Sequence, residues 1–256
     1  MRIAVTSPFF HLLPYLKKEL LAVYPNCKFK ETFDPFDKNE LVDFCKGCDA
    51  ALIGLDRFDD EVLTKLPNLK IIALCSAGAD HLDPVALKAH GVKMGWVAGI
   101  NKHAVAEMAI STMINIMRNF HHLSEQLHKG RWASRRGGRL LQGKVVGIHG
   151  CGNIGQEVVK RLKPFDVDII ACDRADCSEF YNKFGVRNVS AEELWSESQV
   201  LTIHLSRNQS TIGLYSKRVL EKLRPGIFLI NTSRGRIIDE KALYERLQSG
   251  AIAAAH

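Results

Sequence analysis

The residues best suited to chemistry are Gly150-Cys151-Gly152-Asn153-Ile154-Gly155, a GxGxxG run, and Asp173, 18 positions after Gly155. Glycines at this spacing let a chain turn tightly, let its backbone approach a bulky anion, and let a helix pack closely on a strand. That suits a dinucleotide pyrophosphate, held by amide N–H groups and the positive end of a helix without a basic side chain. A carboxylate at Asp173 accepts hydrogen bonds from the adenosine ribose hydroxyls and repels a 2′-phosphate. It favours NAD over NADP, with the neighbouring Arg174 as the contrary signal.

GxGxxG gains its meaning from the elements around it. The run follows the apolar segment Val145–His149 and precedes a helix expected from about Gln156. Residues 167–172, 200–205 and 227–230 read as further buried strands with helical segments between them. A helix over 239–248 closes at Gly250, and 251–256 opens another buried strand. Upstream, Ile3–Val5, Ala50–Ile53 and 69–74 are strand candidates, and 104–117 has the apolar spacing of a long helix leading out of the first domain. The alternation predicts an α/β protein of two parallel-sheet domains, residues 1–99 and 100–256.

Composition narrows the class. The chain has 256 residues, 46% hydrophobic and 25% charged, as in ordinary globular proteins. No apolar run is long enough to span a bilayer, and the N-terminus lacks a secretory signal, so a cytoplasmic protein without a membrane partner is expected. Seven scattered cysteines read as reduced thiols. Cys45 and Cys48 have CxxC spacing but no second ligand pair, so no metal is expected.

The net charge of +7 raises the question of nucleic acid. Much of it is concentrated in Arg118, Lys129, Arg131, Arg135, Arg136 and Arg139, with no nucleic-acid motif beside them. This segment reads as a solvated connector at a subunit contact, not as a nucleic-acid surface.

Further ordered motifs accompany the glycine-rich run. They are Leu223-Arg224-Pro225-Gly226, Asn231-Thr232-Ser233-Arg234-Gly235, Ile238-Asp239-Glu240, and upstream Ser76-Ala77-Gly78-Ala79-Asp80-His81-Leu82-Asp83 and Val105-Ala106-Glu107. Together they resemble the D-isomer-specific 2-hydroxyacid dehydrogenases over nearly the whole chain.

The resemblance implies a flavodoxin-like substrate domain, a Rossmann-type NAD domain, a cleft between them, a homodimer, and a small 2-hydroxy or 2-keto acid as substrate, phosphoglycerate being one candidate. Arg234 matches the family arginine that holds the substrate carboxylate and polarises the keto oxygen. The amides of Ala77, Gly78 and Ala79 would hold that carboxylate from the other side. Thr232 and Ser233 would line the nicotinamide, and His204 and Leu205 would sit beside the adenosine.

The family takes its acid–base pair, a histidine tuned by a carboxylate, from beyond the motif matched by residues 231–235. No residue up to His256 matches it, and neither His81 nor His103 fits the role. The expectation is therefore a truncated chain that lacks the pair. Two readings stay open: a dehydrogenase whose complete form carries the pair, and a non-catalytic NAD(H)-binding module acting through protein contacts.

Overall fold

The computed structural model describes residues 1–34, 36–132 and 137–256. Arg135 and Arg136 of the basic segment lie outside the described residues. The chain folds as two units, Met1–Ile100 and Asn101–His256.

Unit 1 contains β1 (Ile3–Val5), α1 (Phe9–Leu12), α2 (Pro14–Val23), β2 (Cys27–Phe29), α3 (Lys38–Cys45), β3 (Ala50–Ile53), α4 (Asp60–Thr64), β4 (Ile71–Leu74), α5 (Pro84–Ala89) and β5 (Lys93–Gly95). Its strands pair in parallel in the order β2-β1-β3-β4-β5, which is the flavodoxin-like order. Asp37, Asp59 and Asp83 start α3, α4 and α5 by accepting hydrogen bonds from first-turn amides. The central strands are apolar because helices cover the sheet, and Ile53, Phe58, Leu63 and Ile72 are fully buried.

Unit 2 contains α6 (Lys102–Met117), α7 (Phe120–His128), β6 (Val145–His149), α8 (Asn153–Leu162), β7 (Asp168–Cys172), α9 (Ser178–Phe184), β8 (Arg187–Asn188), α10 (Ala191–Glu197), β9 (Val200–Ile203), α11 (Lys217–Lys222), β10 (Ile227–Asn231), α12 (Glu240–Gln248) and β11 (Ile252–Ala255). The order β11-β10-β9-β6-β7-β8, parallel throughout, is that of the Rossmann fold. One face packs Ala109, Met113 and Met117 of α6 against Val158, Val159 and Leu162 of α8, and the other buries Leu194, Leu201, Tyr215 and Leu220.

Several boundaries move from the sequence expectation. The helix after the glycine-rich run starts at Asn153, not near Gln156, because Gly152 is extended (φ −77°, ψ −154°) and forms the N-cap. The long helix starts at Lys102 and is part of the unit 2 core instead of an exit from the first domain. The β9 strand stops at Ile203, leaving His204 and Leu205 beyond its end. Strands β2, β5 and β8 gave no periodic signal, being two or three residues long and at or near sheet edges.

Candidate functional site

In a doubly wound sheet, ligands bind outside the carboxyl ends of the strands. In unit 2 that edge collects the glycine-rich turn after β6, Asp173 after β7, His204 and Leu205 after β9, and Thr232, Ser233 and Arg234 after β10.

The turn is shaped by contacts that only glycine permits. Gly150 has φ +95°, and a Cβ there would lie 2.9 Å from the carbonyl carbon and oxygen of His204. A Cβ on Gly155 would fall directly onto the carbonyl oxygen of Gly150. At Gly152 no atom lies within 4 Å of the Cβ position, so this glycine faces open space at the start of α8. The amides of the first α8 turn and its dipole favour an anion at that opening.

Asp173 is built into the turn. Its Oδ2 accepts a hydrogen bond from the Cys151 N–H at 2.5 Å, and its Oδ1 accepts one from the Ala175 N–H at 2.8 Å. The carboxylate therefore clamps the loop after β6 onto the end of β7. Each oxygen keeps acceptor capacity for a ribose hydroxyl.

His204 continues the ladder one residue past β9, its N–H donating to the His149 carbonyl at 2.8 Å. Its Nε2 lies 3.0 Å from Thr202 Oγ1, and its Nδ1 is buried without a hydrogen-bond partner. Burial lowers its pKa to about 4, so the imidazole is neutral at pH 7. Leu205 packs its side chain near Gly150.

After β10, Asn231 organises the loop by itself. Its Oδ1 accepts from the Ser233 N–H at 3.1 Å and the Ser233 hydroxyl at 2.6 Å, while its Nδ2 donates to the Arg234 carbonyl at 3.0 Å. Arg234, half-buried, donates from Nη1 to the Ser233 carbonyl at 2.9 Å. Thr232 Oγ1 is buried with no hydrogen-bond partner.

In unit 1, Ala77, Gly78 and Ala79 lie in the loop after β4. Ser76 Oγ donates to the Gly78 carbonyl at 2.9 Å, and Trp96 Nε1 donates to the Ala77 carbonyl at 3.1 Å. These bonds fix the loop backbone through its carbonyls.

Sequence reasoning missed His149 and Tyr215. Tyr215 reaches the end of β6 with its side chain, and its backbone joins the stretch after the Arg234 loop by bonds to Ile237 and Asp239. The one available signal was a histidine closing an otherwise apolar strand.

Other sequence features have structural explanations. Cys45 and Cys48 are buried in the unit 1 core, where burial pushes the Cys45 thiol up to about 12. His103 lies 3.3 Å from Glu157, across α6 and α8. Among the described residues, no cluster of three or more potential metal ligands occurs, and no helix is long and apolar enough to cross a membrane.

Residues 110–256 match the family model described as D-isomer specific 2-hydroxyacid dehydrogenase, NAD binding domain. The chain is 31% identical to D-3-phosphoglycerate dehydrogenase of Archaeoglobus fulgidus, over all of this chain and 48% of that protein. It is 32% identical to hydroxypyruvate reductase of Thermotoga maritima, over 96% of this chain and 80% of that protein. It thus spans about half the length of the first relative and four fifths of the second. Among solved structures, the pyruvate reductase of Chlamydomonas reinhardtii superposes with a TM-score of 0.86 at 31% identity, covering all of this chain and 75% of that one. With the glycine-rich turn, its clamped aspartate and the strand order already in place, the chain belongs to the D-isomer specific 2-hydroxyacid dehydrogenases, and residues 110–256 form its NAD binding domain.

Proposed function

We propose that the protein is an NAD-dependent oxidoreductase that interconverts a small D-2-hydroxy acid and its 2-keto acid. The observation that carries this reading is the shared strand edge, where open space at Gly152 at the start of α8 and the Arg234 guanidinium, bonded to the Ser233 carbonyl, occur together.

The residues fit the cofactor. Gly152 leaves room for a phosphate, Asp173 retains lone pairs for ribose hydroxyls, and two buried atoms at this edge, Thr232 Oγ1 and His204 Nδ1, lack partners within the protein. A buried polar atom without a partner is costly unless a ligand supplies one. Bound NADH would supply the hydride. Gly150, Gly152, Asn153, Ile154 and Gly155 hold the pyrophosphate, Asp173 the ribose, His204 and Leu205 the adenosine end, and Thr232 and Ser233 the nicotinamide.

Arg234 binds the substrate carboxylate and polarises the keto oxygen, for which a planar fork of donors is suited. The amides of Ala77, Gly78 and Ala79 take the carboxylate on the strength of the family resemblance.

The same reading makes the protein a cytoplasmic homodimer assembled through α6, α7 and the segment after them. It is supported by the exposed Phe120, Leu127 and Trp132, the last 80% accessible.

The test is steady-state NADH oxidation with pyruvate, glyoxylate, hydroxypyruvate and 3-phosphohydroxypyruvate, alongside fluorescence titration of NADH. Turnover of one of them that falls on Arg234→Gln supports the assignment. NADH binding without turnover of any 2-keto acid would overturn it.

A further inference from the structure

The opposite edge of the unit 2 sheet holds a second concentration of polar groups. Lys144, Gln199 and Gly226 directly precede β6, β9 and β10, and with Arg139, Arg224 and Phe228 they line a pocket of about 130 Å³. Three of its lining residues are cations and none is an acid.

The cations are poorly matched within the protein. Among the described residues, none of Arg139, Lys144 and Arg224 forms an ion pair. The nearby acids are engaged elsewhere: Glu197 pairs with Arg187, and Asp166 accepts from Gln142. Arg139 donates to the Gly226 carbonyl at 3.4 Å and Arg224 to the Glu197 carbonyl at 3.5 Å, both at the outer limit of a hydrogen bond. The Arg139 guanidinium rests 5.4 Å from the centroid of Phe228, which limits its wandering. Gln199 uses Oε1 to accept from the Val145 N–H at 3.1 Å, leaving its NH₂ group as a donor.

We propose that this pocket binds a phosphate-type oxyanion, either free phosphate or the phosphate of a small phosphomonoester. Two guanidinium forks and an ammonium, partly enclosed and without a competing carboxylate, supply charge-assisted donors matched to tetrahedral oxygens. The site is distinct from the dinucleotide edge. It lies where β6, β9 and β10 begin, roughly 15 Å from where a five-residue strand ends, so it does not depend on the assignment of the cofactor. A purely structural use of these cations, offsetting the carbonyl end of α6 at Met117, needs no ligand and predicts no phosphate binding.

The experiment separates these uses. The intact protein is titrated calorimetrically with inorganic phosphate and with glycerol 2-phosphate, at constant ionic strength set by chloride, with and without saturating NADH. Lys144→Gln and the double variant Lys144→Gln/Arg224→Gln are titrated in parallel, with NADH affinity reporting that each remains folded. The expected result is phosphate binding that persists under NADH and weakens about tenfold or more in the double variant, with the single variant between. Equal affinity for the two ligands identifies free phosphate as sufficient, and tighter glycerol phosphate identifies a phosphomonoester. Phosphate binding that NADH abolishes and the variants leave unchanged places the anion at the glycine-rich turn and overturns the proposal. Absence of phosphate binding in the unaltered protein overturns it as well.

Discussion

His149 Nδ1 lies 2.6 Å from the hydroxyl of Tyr215, and both side chains are buried, with ring centroids 5.7 Å apart. One partner closes the strand that enters the glycine-rich turn. The other is held by the backbone of the stretch after the Arg234 loop. The pair therefore ties the two halves of the candidate site together from beneath.

Acid should loosen that tie. Burial lowers the His149 pKa from 6.5 to about 4, so the unfolded chain binds a proton that the folded chain refuses between these values. The stability due to neutral His149 is complete above pH 6.5 and is lost progressively as pH falls to about 4. The loss amounts to roughly 3 kcal/mol. Urea unfolding from pH 8 to pH 4 should show this slope, and the double variant His149→Leu/Tyr215→Phe should flatten it. An unchanged slope would mean that other groups, His204 among them, account for the whole acid response.

Gly152 and Gly155, three positions apart, should behave oppositely. Gly155→Ala places a methyl group on the Gly150 carbonyl oxygen and should cost about 1–3 kcal/mol in stability along with NADH binding. Gly152→Ala meets no protein atom and keeps a permitted φ, so stability should hold while NADH affinity falls. Thermal melts paired with fluorescence titrations distinguish the two. Equal loss of stability in both variants would contradict the opening inferred at Gly152.

Asp173→Asn keeps the size of the side chain but removes its charge and one acceptor. NADH affinity should fall about tenfold, with a smaller loss for NADPH, because repulsion of the 2′-phosphate is relieved. Titration of both nucleotides gives the ratio. A ratio unmoved by the substitution would limit Asp173 to holding the Cys151 and Ala175 amides.

Arg234→Lys retains charge but loses the planar fork. The kcat/KM for the preferred keto acid should drop about a hundredfold or more, with NADH affinity little changed.

What the sequence revealed followed from how local each signal was. The run Val145–His149 and the glycines after it sit side by side, so strand, turn and helix could be read together, although the N-cap role of Gly152 depends on its backbone angles. The Asp173 spacing was legible, but its hydrogen bond to the Cys151 amide was not, because it requires the strand pairing that brings Cys172 beside His149. His149 and Tyr215 are 66 positions apart and carry no shared pattern. Strand β8 consists of Arg187 and Asn188, two exposed polar residues recruited by pairing with β7. In such places tertiary context decides where composition is silent.

The support that His204 gives to Gly150 has a kinetic side. The glycine turn leans on a carbonyl from the chain just past β9, and Val145 at the start of β6 is joined to Gln199, 54 positions later. Parallel pairing over such a distance must overcome loop-closure entropy before any contact compensates for it, so it forms late and slowly. During refolding, far-ultraviolet ellipticity from the helices should recover before nucleotide-quenched tryptophan emission does. The competence to hold a dinucleotide thus arises at a late step of folding, when β9 docks beside β6 and the turn acquires its wall.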